Sequence, residues 1–355
     1  MTSEVRVLVV DDSAFNRQTL TSILESAPGI RVVARAGDGD EGLKQVFAHA
    51  PDVITLDLEM PRMDGFTFLR ILMARRPTPV IVISSQTRKD SIFKALELGA
   101  LDFIAKPTKK VSHELTAIGE ELIAKVRMIT QLRMVSLAAS AERSRDVGVV
   151  PTPAPPAEAP APTVAMKKLV VVGASTGGPA ALAALLAELV PSIPMGVLIA
   201  QHMPAKFTQA FAERLDKLSP LEVREARGGD LVRTGLALVA PGASMMTVRK
   251  SPNGLRVVVE PPGPEDRFVP SIDRLFESAA DVMGPDVIGV ILTGMAGEGG
   301  RATRAVVGKG GEVIVEAAES AVMLGMPEEA TKTGLVSEVA PLGMIASAIV
   351  RRIRK

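Results

Sequence analysis

Three residues combine the types and settings needed for hydrolytic chemistry: Ser175, His202 and Glu298. The segment Lys168–Pro179 reads KLVVVGASTGGP. Its apolar, mostly β-branched run, Leu169–Val172, suits a strand covered on both faces. Gly173, Gly177 and Gly178 permit a tight turn and close backbone approach. Ser175 then falls where strand gives way to helix, its hydroxyl off the carboxyl edge of the sheet. The N–H groups of the first helical turn lie beside it. Gly173–Gly177 also fits the G-x-S-x-G pattern of a strained serine turn. That is a nucleophile's position, and a serine nucleophile needs a base.

Of the three histidines, His49 and His113 belong to the N-terminal half, on or near helices, where a structural role is expected. His202 follows the next apolar strand, Gly196–Ala200, 27 residues after the serine. Neighbouring parallel strands bring such tips within reach of one another. A third group should orient the imidazole and stabilise its charged form. The candidate is Glu298, in the Gly-rich turn after the strand Val287–Leu292, with Asp230, Asp266, Asp273 and Glu265 as weaker alternatives. The order Ser, His, acid differs from the Ser, acid, His of α/β-hydrolases, and no histidine follows His202, so that fold is disfavoured. GASTGG is not G-x-G-x-x-G, which argues against dinucleotide binding at this turn.

A second constellation lies in the N-terminal half. Asp11 and Asp12 end the strand Val5–Val10, Asp57 ends Asp52–Leu56, Ser84 ends Val80–Ile83, and Lys106 ends Asp102–Ala105. Strands at Val5, Ile30, Asp52, Val80 and Asp102 alternate with helices and describe a doubly wound, five-stranded parallel sheet. Sites in such sheets lie beyond the carboxyl strand ends, so the five residues should converge. Packed carboxylates repel, and their natural occupant is a hard dication with oxygen ligands, Mg²⁺ above all. Lys106 would offer a fixed charge to phosphoryl oxygens, Ser84 a hydroxyl, and Asp57 an acceptor carboxylate.

The elements that position these groups form two α/β domains. The expected boundaries are 1–125 for the first domain, 126–167 for a helical extension with a Pro/Ala-rich linker, and 168–355 for the second domain. The linker carries Pro151, Pro153, Pro155, Pro156, Pro160 and Pro162 and should be extended and semi-rigid. The helix before it is expected over Glu114–Leu137. The second domain should hold a mainly parallel sheet with antiparallel additions, its residues 221–260 reading as short strands between Gly turns. With 355 residues, a net charge of +1 and no cysteine, the chain excludes thiol catalysis and a disulfide framework and gives no electrostatic case for nucleic acid. No apolar run approaches the length that spans a bilayer, and no secretory signal opens the chain, so a cytoplasmic protein is expected; a monomer is the expected state, though no residue pattern fixes it.

Residues 1–125 resemble a two-component receiver domain of flavodoxin-like fold, most specifically in Thr55–Phe66, TLDLEMPRMDGF, and in Lys106-Pro107. The resemblance implies that a histidine kinase phosphorylates Asp57 and that Ser84 and Phe103 report it; by position alone Phe103 reads equally well as a core residue. Residues 168–345 resemble the CheB-type chemotaxis protein-glutamate methylesterases in Gly173–Pro179, Gln201–Phe207, Pro270–Phe276, Leu292–Met295 and Leu324–Pro327. That resemblance implies a serine hydrolase, free of cofactor, that removes methyl groups from glutamate γ-methyl esters on chemoreceptor cytoplasmic helices. It also implies deamidation of receptor glutamine, N–H donors around Thr176 and Met295 for the oxyanion, and inhibition by the receiver until Asp57 is phosphorylated. Two departures stand out. Glu298 occupies the place of the family's aspartate, and Ala240–Met245 lacks the Asp and His usual after its Pro-Gly. The rival readings are a response regulator whose weak or silent esterase domain serves as a binding module in a chemosensory array, and an esterase for a protein outside chemotaxis.

Overall fold

The computed structural model describes residues 4–85, 89–106, 112–128, 165–295 and 297–354. They fall into two compact units, the described residues 4–128 in the first and 165–354 in the second. The expected linker and the helix beyond Met128 lie outside the described residues.

The first unit is a parallel sheet of β1 (Val5–Val10), β2 (Ile30–Ala36), β3 (Val53–Leu56), β4 (Val80–Ser85) and β5 (Asp102–Lys106). The order is β2-β1-β3-β4-β5, with every neighbouring pair parallel. Helices α1 (Ala14–Glu25), α2 (Gly39–His49), α3 (Gly65–Arg75), α4 (Lys89–Glu97) and α5 (Ser112–Met128) connect and cover it. The alternating pattern predicts a doubly wound parallel sheet, and this order is the flavodoxin-like one that the resemblance to a receiver domain implies. Local chemistry starts the helices: Ser13, Asp38 and Asp64 each accept an N–H from the first turn of α1, α2 and α3.

The second unit holds a seven-stranded sheet ordered β14-β13-β12-β6-β7-β9-β8. Its strands are β6 (Lys168–Ala174), β7 (Met195–Gln201), β8 (Glu222–Glu225), β9 (Leu236–Val239), β12 (Val287–Ile291), β13 (Glu312–Glu316) and β14 (Glu338–Ala340). All neighbouring pairs are parallel. The antiparallel addition is a separate hairpin, β10 (Met245–Ser251) with β11 (Gly254–Glu260). Helices α6 (Gly178–Glu188), α7 (Ala205–Leu218), α8 (Ile272–Met283), α9 (Gly300–Gly308), α10 (Gly325–Thr331) and α11 (Leu342–Arg354) complete it. The buried runs VVV of β6 and VLIA of β7 at its centre are shielded on both faces, as continuous apolar strands require.

Strand β6 is the point at which the order reverses: the chain leaves it for β7 on one side and later returns to β12 on the other. Ligand crevices of open α/β sheets form at such reversals. Gly173, near the end of β6, has no room for a side chain, since a Cβ there would meet Ile272 Cγ2 at 2.5 Å. Ile272 is fully buried at the start of α8. Gly173→Ala is therefore expected to lower the unfolding free energy by about 1–3 kcal/mol through overpacking. Urea denaturation checks this, and an unchanged midpoint would mean that Ile272 swings clear at no cost.

Candidate active site

Strands β6 and β7 run in register, with Ala174 opposite Gln201 as their last pair. Ser175 and His202 are the next residue on each strand, so the sheet delivers both at one edge. The His202 N–H donates to the Ala174 carbonyl at 3.2 Å and continues the ladder one step past the strands. The two side chains meet: His202 Nδ1 lies 3.1 Å from Ser175 Oγ. Gln201 clamps the corner from beneath, its amide donating to the carbonyls of Ser175 at 2.9 Å and His202 at 3.0 Å.

His202 Nε2 lies 2.8 Å from Glu298 Oε2. Glu298 is buried, 4% exposed, in the turn before α9. Its carboxylate sits on the N-terminus of α8. The Ser271 hydroxyl donates to Oε1 at 2.5 Å, and the N–H groups of Asp273 and Ile272 donate to Oε1 and Oε2, each at 3.1 Å. A helix N-terminus offers unpaired donors and a favourable dipole to an anion. Burial pushes the Glu298 carboxyl up, but the hydrogen bond and charge of His202, with the Ser271 and Asp273 donors, outweigh it and hold the carboxyl below its ordinary value. An ionised carboxylate only accepts hydrogen bonds, so in the neutral ring Nε2 carries the proton and Nδ1 presents its lone pair to the serine hydroxyl. The ring is turned relative to the Ser-His-Asp arrangement of chymotrypsin, in which Nε2 faces the serine.

Among the alternative acids, Asp273 caps α9 instead. Its Oδ1 accepts the N–H groups of Gly299 at 3.0 Å and Ala302 at 2.9 Å. Asp230 pairs with Arg224 and Asp266 with Arg274, and Glu265 lines the cleft described below. Phe268 stacks on His202, ring centroids 5.5 Å apart and planes at 11°. The sequence does not assign Phe268, Ser271 or the Gln201 amide to the site; Gln201 and Ser271 leave a signal only as members of the stretches Gln201–Phe207 and Pro270–Phe276 that carry the resemblance. A cleft of about 440 Å³ opens beside Glu298, bordered by Phe268, Arg274, Glu277 and Arg301. Of the expected oxyanion donors, Thr176 is buried beside Ser175, while the strand-like stretch before Met295 passes against it: a Cβ on Gly294 would meet Ser175 Cβ at 2.9 Å. The Ala240–Met245 loop packs on the start of α7, where a Cβ on Gly242 would meet Ala205 N at 2.5 Å.

Four residues of the second constellation come together. Asp11, Asp12 and Asp57 offer oxygen atoms within 4.8 Å of one another. Asp11 and Asp57 are buried and Asp12 is exposed. Lys106 Nζ donates to Asp11 at 3.0 Å and also to Asp57. Burial raises the Asp57 carboxyl above its ordinary value despite Lys106, while Asp57 and Asp11 carry the Lys106 ammonium up against the pull of its own burial. Three hard oxygen donors at one strand edge fit a divalent cation. Ser84 is buried at the carboxyl end of β4. Phe103 is 4% exposed, with the Lys125 ammonium 5.9 Å from its ring centroid and bonded to its carbonyl at 2.8 Å.

The family described as CheB methylesterase matches residues 170–349, and the response regulator receiver domain family matches residues 7–117. The chain belongs to the CheB methylesterase family. It is 45% identical over 361 residues to the protein-glutamate methylesterase/protein-glutamine glutaminase 3 of Geobacter sulfurreducens, covering 98% of this chain and 97% of that one. To the corresponding protein 1 of Myxococcus xanthus it is 47% identical over 351 residues, covering 99% and 98%. The second unit is similar to the crystal structure of the Thermotoga maritima CheB methylesterase catalytic domain, with a TM-score of 0.51 and 32% identity, over 53% of this chain and 99% of that one. Among the described residues, no helix is long and apolar enough to cross a membrane.

The Glu298 cradle has a pH signature. Its folded carboxyl titrates below the unfolded value, so its stabilisation is present above the unfolded value and is lost as pH falls through the folded one. Glu298→Gln is therefore expected to flatten the acid limb of unfolding free energy as pH falls through and below the ordinary glutamate value of 4.5. Parallel curves for wild type and variant in chemical denaturation would contradict an ionised Glu298.

Proposed function

We propose that the chain is a phosphorylation-controlled protein-glutamate methylesterase. The reading is carried by one observation, the contiguous path from Ser175 Oγ through the His202 ring to the Glu298 carboxylate. Ser175 Oγ attacks the carbonyl carbon of a glutamate γ-methyl ester as its proton passes to His202 Nδ1. Glu298 stabilises the imidazolium and keeps the ring aimed. The N–H groups of Thr176 and Met295 hold the oxyanion, each such donor being worth roughly 10²–10³ in rate. Collapse breaks the bond to the methoxy oxygen, which leaves as methanol with the proton from His202. Water then attacks the acyl-serine, giving its proton to His202, and the Ser175 hydroxyl is restored as free glutamate departs. A glutamine side chain in the same pose would lose ammonia, which extends the activity to deamidation. The names of the relatives in Geobacter and Myxococcus support both activities.

In the receiver, Asp57 is the phosphoacceptor for a partner histidine kinase. Asp11, Asp12 and Asp57 would hold Mg²⁺, which when bound neutralises phosphoryl charge. Lys106 balances the phosphoryl oxygens, and Ser84 and Phe103 carry the change outward. The receiver inhibits the esterase until Asp57 is phosphorylated. The substrate is a methylated cytoplasmic helix of a chemoreceptor, and the working compartment is the cytoplasm. We assign residues 1–125 to the receiver, 126–167 to the extension and linker, and 168–355 to a monomeric chain's esterase domain, which works without a cofactor.

Two measurements test this. With methyl-labelled receptor membranes and a phosphodonor, wild type should release volatile methanol, Ser175→Ala none, and Glu298→Gln about 10²–10⁴-fold less per unit time. Equal release by wild type and Ser175→Ala would remove the esterase reading. The phosphodonor should stimulate wild type but neither Asp57→Asn nor wild type stripped of divalent cation by chelation. Stimulation that survives both treatments would remove the receiver's proposed role.

A further inference from the structure

Glu316 is a buried carboxylate that the hydrolytic steps do not use. It ends β13, is 1% exposed, and accepts the Thr293 N–H at 2.8 Å and the Ser320 hydroxyl at 2.9 Å. Ser320 is itself fixed, accepting the Leu342 N–H at 2.9 Å at the start of α11. A buried carboxylate is costly unless fully bonded, so its presence at this strand end calls for a task.

The task lies in what Thr293 does with its other groups. Thr293 is 1% exposed. Its carbonyl accepts the Ser175 N–H at 3.0 Å. Its hydroxyl donates to the Thr176 carbonyl at 2.9 Å and accepts the Met323 N–H at 2.8 Å. One residue therefore grips the nucleophile's own backbone, the next residue's peptide and the stretch leading to α10. Thr293 also begins the Thr293–Met295 segment that passes against Ser175. The peptide that carries the Thr176 N–H lies between the two peptides Thr293 grips, through the Ser175 N–H and the Thr176 carbonyl, and Met295 lies two residues along the segment that Thr293 begins.

We propose that Thr293, braced by Glu316, is a positioning residue that sets the Ser175 turn and the oxyanion donors at their working geometry. It touches no reacting atom; it acts through Ser175, Thr176 and Met295. The inference rests on the reading of Ser175 as the nucleophile. Valine in its place keeps the shape but deletes the donor to Thr176 and leaves the Met323 N–H unpaired, whereas serine keeps both bonds.

The test uses the full chain with phosphodonor and methyl-labelled receptor membranes, with active sites counted by phosphonate titration. Thr293→Val should lower kcat per titrated site about 10–100-fold, the effect of a partly displaced oxyanion donor, with KM within about threefold of wild type. Thr293→Ser should keep kcat within about threefold. Glu316→Gln, close in shape, should lower kcat in the same direction, and it carries the test if Thr293→Val does not fold. A merely structural role would reduce the number of titrated sites and leave kcat per site unchanged, and that result overturns the proposal. Wild type without Ser175-dependent turnover would instead remove the esterase reading itself, so the two failures are distinct.

Discussion

Everything at the esterase site depends on two parallel strands ending flush. Strand β6 stops at Ala174 and β7 at Gln201, opposite one another, and the next residue on each is the serine and the histidine. Parallel pairing fixes that register by backbone hydrogen bonds and by the burial of both strands' apolar runs. A slip of one residue would turn the side chains to opposite faces. The reactive pair is therefore positioned by the best-packed part of the second unit, and the Gly173–Gly178 turn supplies only the freedom to place the hydroxyl at the edge. The reversal of strand order at β6 opens the crevice there.

The acid is supplied differently. Glu298 lies in a turn with glycines on both sides, a poor support for a charged group that must stay ionised while buried. Rigidity is borrowed from α8 and α9, which exchange caps: Glu298, before α9, takes the N-terminal donors of α8, and Asp273, on α8, takes those of α9. Each carboxylate satisfies orphan N–H groups of the other helix. The longer glutamate side chain spans from its turn to both the imidazole and the α8 terminus. Thr293 and Glu316 brace the opposite side of the serine turn in a similar way, through peptides and not through the reacting atoms.

This division explains what could be read from the sequence. Ser175, His202 and the receiver's Asp11, Asp12, Asp57 and Lys106 all follow short apolar runs, and a strand end is a local signal. The parallel order of the first sheet follows from regular βα alternation. The partners of Glu298 and Thr293 lie 23 or more residues away in sequence, and nothing local couples Ser271 to Glu298 or Met323 to Thr293. The pairing within residues 221–260 was equally hidden: β8 and β9 join the large sheet, while β10 and β11 form their own hairpin, a choice made by tertiary packing that Gly turns alone do not encode. Helix α10 and strand β14 are short, three to seven residues, and carry too little periodicity to stand out.

The central claim is that the Ser175 hydroxyl passes its proton to the His202 ring. Its most direct measurement is the pH-dependent rate at which a fluorophosphonate labels the full chain, with the adduct located by peptide mass spectrometry. The account expects a single adduct on Ser175, formed faster as pH rises, and a loss of that rate by orders of magnitude in His202→Ala. Labelling at another residue, or an equal rate at Ser175 with and without His202, would contradict it.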